Sequence, residues 1–260
     1  MRHAKHKSTA EERRPGQRCA RRPAPAAAPI ALVALALASG PAVAGAPPAL
    51  VKGRVVGWEK LAPQAYAEAA KSESHRYTWR EPSPTVKQEF RRLSANVSRD
   101  VCVAALGTGA PQPHEPVAVK LTGGRMTPAT IVVSPGSRLS FKNSDPFPHV
   151  LYEVGNDKWA PNPTAPGSTR EWAASTPGVR EIRDQLFPSI VAYVVVDPGA
   201  VEFALPDRDG AFSMNLPAGE YTLKAFVDGK PVGKEMTGVR VGEHGFFELR
   251  EAMTLGGDSK

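Results

Sequence analysis

Cysteine is nearly missing from this chain, which has two, Cys19 and Cys102. Cys19 falls in a segment ordered like an export leader, so one thiol remains after it and no internal disulfide can form. Cys102 lies in the apolar run VCVAAL and reads as a small buried hydrophobe. Long apolar stretches are missing too. The one run of note, APIALVALALASG, is short for a bilayer span, and nothing later is longer, so no membrane span is expected after the leader. Also absent are a Ser-His-Asp order, a metal-binding helix motif, an internal repeat and any low-complexity tract outside the leader. No catalytic centre is proposed by the pattern, and the chain reads as a non-enzyme.

What is present first is charge, and it sits in one place. Residues 1–44 hold 8 of the 33 Lys and Arg and 2 of the 26 Asp and Glu, so the formal net of +7 falls to +1 in the rest. The leader runs from a basic stretch through the apolar run to Ala42-Val43-Ala44, the order of a secretory signal. A periplasmic or extracellular protein is expected, with retention of the leader as an anchor left open. Nucleic acid is excluded as a partner, because phosphate binding needs clustered Lys and Arg.

Residues 45–100 read as a first strand, ALVKGRVVGW at 49–58, followed by a mainly helical insertion at 59–100. That insertion is alanine-rich early, and later has Ser83 as cap and Pro84 at the first helical position. From 101 the signals are β: short alternating runs separated by Gly and Pro turns, arguing for a sandwich and against parallel βαβ units. Residues 101–197 form one sandwich in this reading and 198–250 a second small antiparallel β unit, with a polar tail at 251–260. The strand at 49–58 is a candidate to complete that second unit, which would make the segment between them an excursion from one parent domain.

The stretch VVSPGSRLSFKNSDPFPHVLYEV resembles the first half of a cupredoxin, the Greek-key sandwich of the plastocyanin and azurin type. TPGVREIRDQLFPSIVAYVVV resembles the second half. DRDGAFSMNLPAGEYTLKAF is similar to a carboxypeptidase regulatory or transthyretin-like unit, a pairing found in exported methylamine-utilisation-like proteins. The resemblance spans roughly 117–241. It implies a mainly β fold with His149, after Asn143 and Asp145, at the first copper-ligand position. It also implies a thiolate at position 184, a second imidazole at 187 and a weak methionine near 190. This chain has Asp184, Phe187 and Ile190 there, with Val191 or Ala192 if the loop is longer. Pro188 and Tyr193 still suit the scaffold. A type 1 copper site is therefore expected to be degenerate, and no cofactor is expected. Copper stays open only through His149, with Asp184 or Asp145 as companions.

His75, His114 and His244 have no partners at ligand spacing and read as loop residues. DRDG reads as a hairpin turn, since it lacks the further acidic positions of a calcium loop. The long loop at 155–172, with Trp159, Asn162 and Trp172, is the candidate recognition surface. Three roles stay open: a binding or structural protein of the cell envelope, a copper-binding or electron-transfer protein using His149 with unusual ligands, and a module that recognises a glycan or peptide. The partner is then an envelope protein, a glycan or a peptide.

Overall fold

The run VCVAAL is apolar at every position because both of its faces are buried. In the computed structural model, which describes residues 47–61, 96–107, 115–243 and 245–256, it forms most of β2 (Val101–Gly107). Val101, Val103 and Ala105 point into one core, while Cys102 and Ala104 point into another. The boundary drawn at 101 is thereby corrected. β2 pairs along β14 (Gly219–Val227) and β12 (Ala200–Ala204), so it belongs to the second β unit. The export leader, nearly all of the helical insertion, His75, His114, His244 and the end of the tail lie outside the described residues. Of the insertion's two ends, the structure describes a 3-10 turn at Trp58–Lys60 and one helical turn at Val97–Asp100.

Nine strands make the first sandwich: β3 (Val117–Leu121), β4 (Met126–Thr127), β5 (Thr130–Val133), β6 (Arg138–Asn143), β7 (His149–Glu153), β8 (Asn162–Thr164), β9 (Thr169–Ala173), β10 (Gly178–Asp184) and β11 (Val191–Val196). One sheet has the order β4-β3-β6-β9 and the other β5-β11-β10-β7-β8. β3 runs parallel to β6, and β5 parallel to β11, so the chain crosses between sheets as a Greek key does. Alternation decides which side chains meet. RLSFKN of β6 sends Leu139, Phe141 and Asn143 inward and Arg138 and Lys142 outward. The core holds Leu121, Ile131, Leu139, Phe141, Leu151 and Ile182, each removed from water. Each such side chain contributes about 1.5–3 kcal/mol before conformational entropy is subtracted.

The second unit is also a two-sheet structure. Its sheets are β12-β2-β14-β15, with β15 at Lys230–Val241, and β13-β1-β16, with β1 at Ala49–Val56, β13 at Ala211–Leu216 and β16 at Phe246–Glu248. A short β17 (Met253–Thr254) also pairs with β1. The unit is not purely antiparallel, since β16 and β17 run parallel to β1. A small third core of Cys102, Ala104, Val132, Val195, Ala200 and Phe226 joins the two sandwiches. The mainly β architecture is what the alternating runs and turns predict, and a cupredoxin-like first sandwich is what the resemblance implies.

The Asp-Gly turn between β14 and β15 closes a hairpin, whereas DRDG joins β12 to β13, which lie in different sheets, so its reading as a hairpin turn is corrected. In DRDG, Asp207 Oδ1 accepts the N–H groups of Asp209 and Ala211, both at 2.9 Å, which makes it a turn-forming side chain. Asp228 and Gly229, between β14 and β15, have φ of 50° and 75°. That pairing of positive values suits a type I′ turn, where Asn-Gly is the best sequence. Burial, then the neighbouring Asp100, raise the Asp228 carboxyl above its ordinary value. Its charged form is therefore disfavoured in the folded state, a penalty present near neutral pH that fades as pH falls through the raised value. Asp228→Asn is expected to raise stability by about 0.5 kcal/mol. Thermal melts should show the gain shrinking as the pH is lowered towards 4, near the ordinary aspartate value of about 3.9.

Candidate functional site

The inward alternation of β7 places His149, Leu151 and Glu153 on the core face, so His149 is drawn into the sandwich with no exposed surface. Register brings its partners. His149 stands opposite Thr164 of β8, and Leu151 opposite Asp184, the last residue of β10. Asp145 arrives from the loop between β6 and β7.

The ring lies between two carboxylates. Nδ1 is 2.5 Å from Asp184 Oδ2, and Nε2 is 3.1 Å from Asp145 Oδ2. Asp184 Oδ1 also accepts the N–H groups of Leu186 (2.8 Å), Phe187 (3.3 Å) and Val150 (3.3 Å). Asp145 accepts those of Gly123 (2.6 Å) and Gly124 (3.1 Å). Burial raises the Asp145 carboxyl, but those N–H groups and the His149 ring outweigh it and hold it below the ordinary aspartate value. Asn143 fixes the loop by donating from Nδ2 to the carbonyls of Phe147 and Thr164 and accepting the Asp145 N–H, each at 2.9 Å. Thr164 Oγ1 is buried and has no hydrogen-bond partner among the described residues.

Phe147 and Phe187 roof the ring, with centroids 5.1 and 5.5 Å from it and 5.2 Å from each other. Their outer edges reach solvent beside Leu186, which is 53% exposed.

The three positions of the degenerate loop are thus all placed. Asp184 meets His149, Phe187 covers it, and Ile190 is buried in the first core. Copper does not fit the donors present. Two donors held by one tetrahedral ion at about 2.0–2.2 Å stand roughly 3.4 Å apart, whereas Asp184 and His149 are at hydrogen-bond separation. The second carboxylate is on the other ring nitrogen, away from the first. Among the described residues no group of three or more His, Cys, Asp or Glu is placed to hold an ion. Cys102 is fully buried in the joining core, where burial pushes its thiol up to about 12 against a backbone hydrogen bond with Val132. A thiol so held is not a thiolate ligand.

One residue of the candidate recognition loop, Trp172, is corrected. Trp172 is buried and donates to Glu153 Oε2 at 2.7 Å. Trp159 donates to the Glu171 carbonyl at 2.9 Å and has the Arg170 guanidinium 3.8 Å above its ring. Trp159 is half-buried, while Asn162, on the edge strand β8, is exposed along with most of the loop around it. Glu153, buried on the inward face of β7 and also accepting from Asn156 Nδ2, was not singled out by sequence reasoning. The signal was available, since it continues the alternation of His149 and Leu151.

No family model matches the chain, and no curated protein matches it. Among solved structures it is similar to an oxidised amicyanin variant, at 16% identity over 32% of this chain and 82% of that one, with a TM-score of 0.29. It is also similar to a purple cupredoxin from Nitrosopumilus maritimus, at 19% identity over 31% and 99%, TM-score 0.27. A copper-containing nitrite reductase from Thermus scotoductus SA-01 matches at 19% identity over 36% of this chain and 25% of that one, TM-score 0.29. Likenesses at this level carry no argument about this chain. The sandwich is assigned from its own strand order. No helix among the described residues is long and apolar enough to cross a membrane.

Proposed function

We propose that this is an exported, non-catalytic cupredoxin-like protein that has lost its type 1 copper site and has a binding or structural role in the cell envelope. Its second sandwich, in this reading, is a transthyretin-like unit, on the strength of the DRDGAFSMNLPAGEYTLKAF stretch. Export is supported by the order of the leader. The observation that carries the loss of copper is the engagement of both His149 nitrogens by Asp145 and Asp184. A ring nitrogen bonded to a carboxylate has no lone pair for a metal, and a carboxylate at 184 cannot provide the thiolate that a blue copper centre requires.

The test is a titration of the purified chain with Cu(I) and Cu(II). No stoichiometric binding and no intense visible thiolate-to-copper charge-transfer band are expected, and His149→Ala should change neither result. Tight one-to-one binding that disappears in His149→Ala would overturn the proposal.

A further inference from the structure

We infer that the Asp145–His149–Asp184 network does the joining work of a bound ion, tying separate segments at one end of the first sandwich into a rigid unit without any metal. This deepens, and rests on, the metal-free reading above. Metal sites commonly gather ligands from several loops and so fix their relative positions. Here hydrogen bonds have the same reach. Asp145 anchors the turn between β3 and β4 through the N–H groups of Gly123 and Gly124. It belongs itself to the loop between β6 and β7. His149 adds β7, and Asp184 adds the loop between β10 and β11 through the N–H groups of Leu186 and Phe187. Asn143 brings in β8 through the Thr164 carbonyl.

The joined loops, 122–125, 144–148 and 185–190, are outside the strands, where isolated backbone bonds such as Ser144 N–H to the Leu121 carbonyl and Gln185 N–H to the Val150 carbonyl stand in place of a continuous ladder. A carboxylate accepting backbone N–H groups makes shorter and stronger bonds than a neutral acceptor, so a few of them can set loop positions. The network also satisfies N–H groups that would otherwise lack partners in the folded chain. It consequently fixes the support beneath Phe147, Leu186 and Phe187, the exposed apolar residues at this end.

Hydrogen exchange of the full chain, with and without a chelator, tests this. Slow exchange at Gly123, Gly124, Leu186 and Phe187 is expected in both conditions. In Asp184→Asn, exchange at Leu186 and Phe187 should rise at least about tenfold while β2 and β14 stay protected. Asp145→Asn should do the same at Gly123 and Gly124. Free-peptide exchange at these amides in the native chain, or no change in either variant, would overturn the inference. So would slower exchange on adding Cu(II) or Zn(II), since an ion would then be completing the joint. Stoichiometric copper binding that leaves these amides unchanged would count against the metal-free reading and for the network. A variant that unfolds throughout loses protection in β2 as well, and the native chain in chelator then decides the matter.

Discussion

The double variant Asp184→Cys, Phe187→His is expected to bind one Cu(II) per chain with an apparent Kd tighter than about 1 μM, worth roughly 8 kcal/mol. The reason is positional. His149 already faces residue 184 and is roofed by residue 187, so the two substitutions would gather a thiolate and two imidazoles around one point. Those donors are the strong ligands of a blue copper centre, and the axial sulfur is the weak one, so Ile190 can remain. Optical and electron paramagnetic resonance spectra should show thiolate-bound copper, and adding His149→Ala should abolish it. A folded double variant that binds copper no better than the native chain would mean that the loop between β10 and β11 has changed its course as well as its side chains.

Removing the ring from the native chain should have the second large effect. His149→Ala leaves Asp145 and Asp184 buried without the group between them, and breaking a buried charged pair costs about 3–5 kcal/mol. For a chain of this size that is a fall in Tm of roughly 6–20 °C. The pH dependence has a definite sign. The Asp145 carboxyl is lowered in the folded state, so its contribution is present above the unfolded aspartate value of about 3.9 and is lost as pH falls through the folded value. The gap between native and variant should therefore narrow on acidification. A loss of less than about 1 kcal/mol near neutral pH would show that the network is not a buried charged joint.

Much of this was open to reading in the residues, because the informative signals are local. Alternation in RLSFKN marks β6 and its inward face, and the Asn-x-Asp stretch before His149 marks the site. Other features depend on register. That Asp184 would hold His149 follows from Asp184 pairing with Leu151 and His149 with Thr164, pairings between strands far apart in the chain. Cys102 reads correctly as buried, yet the two-sided burial that moves β2 into the second unit appears only once β12 and β14 flank it. Trp159 and Trp172 lie in a stretch rich in Pro and Asn that looks like surface. What covers them, Arg170 and Glu153, is ordinary charge by composition and becomes a partner only through packing.

The interruption of the second sandwich by the first has a consequence for how the polypeptide matures. β3 to β11 are contiguous, so that sandwich can close as soon as residue 196 has emerged from the ribosome. β1 must wait for β13, with Ala49 opposite Leu216, and then for β16 and β17 beyond it. Pairings that span such a distance form late, because the intervening chain loses freedom before any contact rewards it. Until then β1 and β2 are apolar strands without neighbours, the state in which a nascent chain is most exposed to aggregation and most in need of a chaperone.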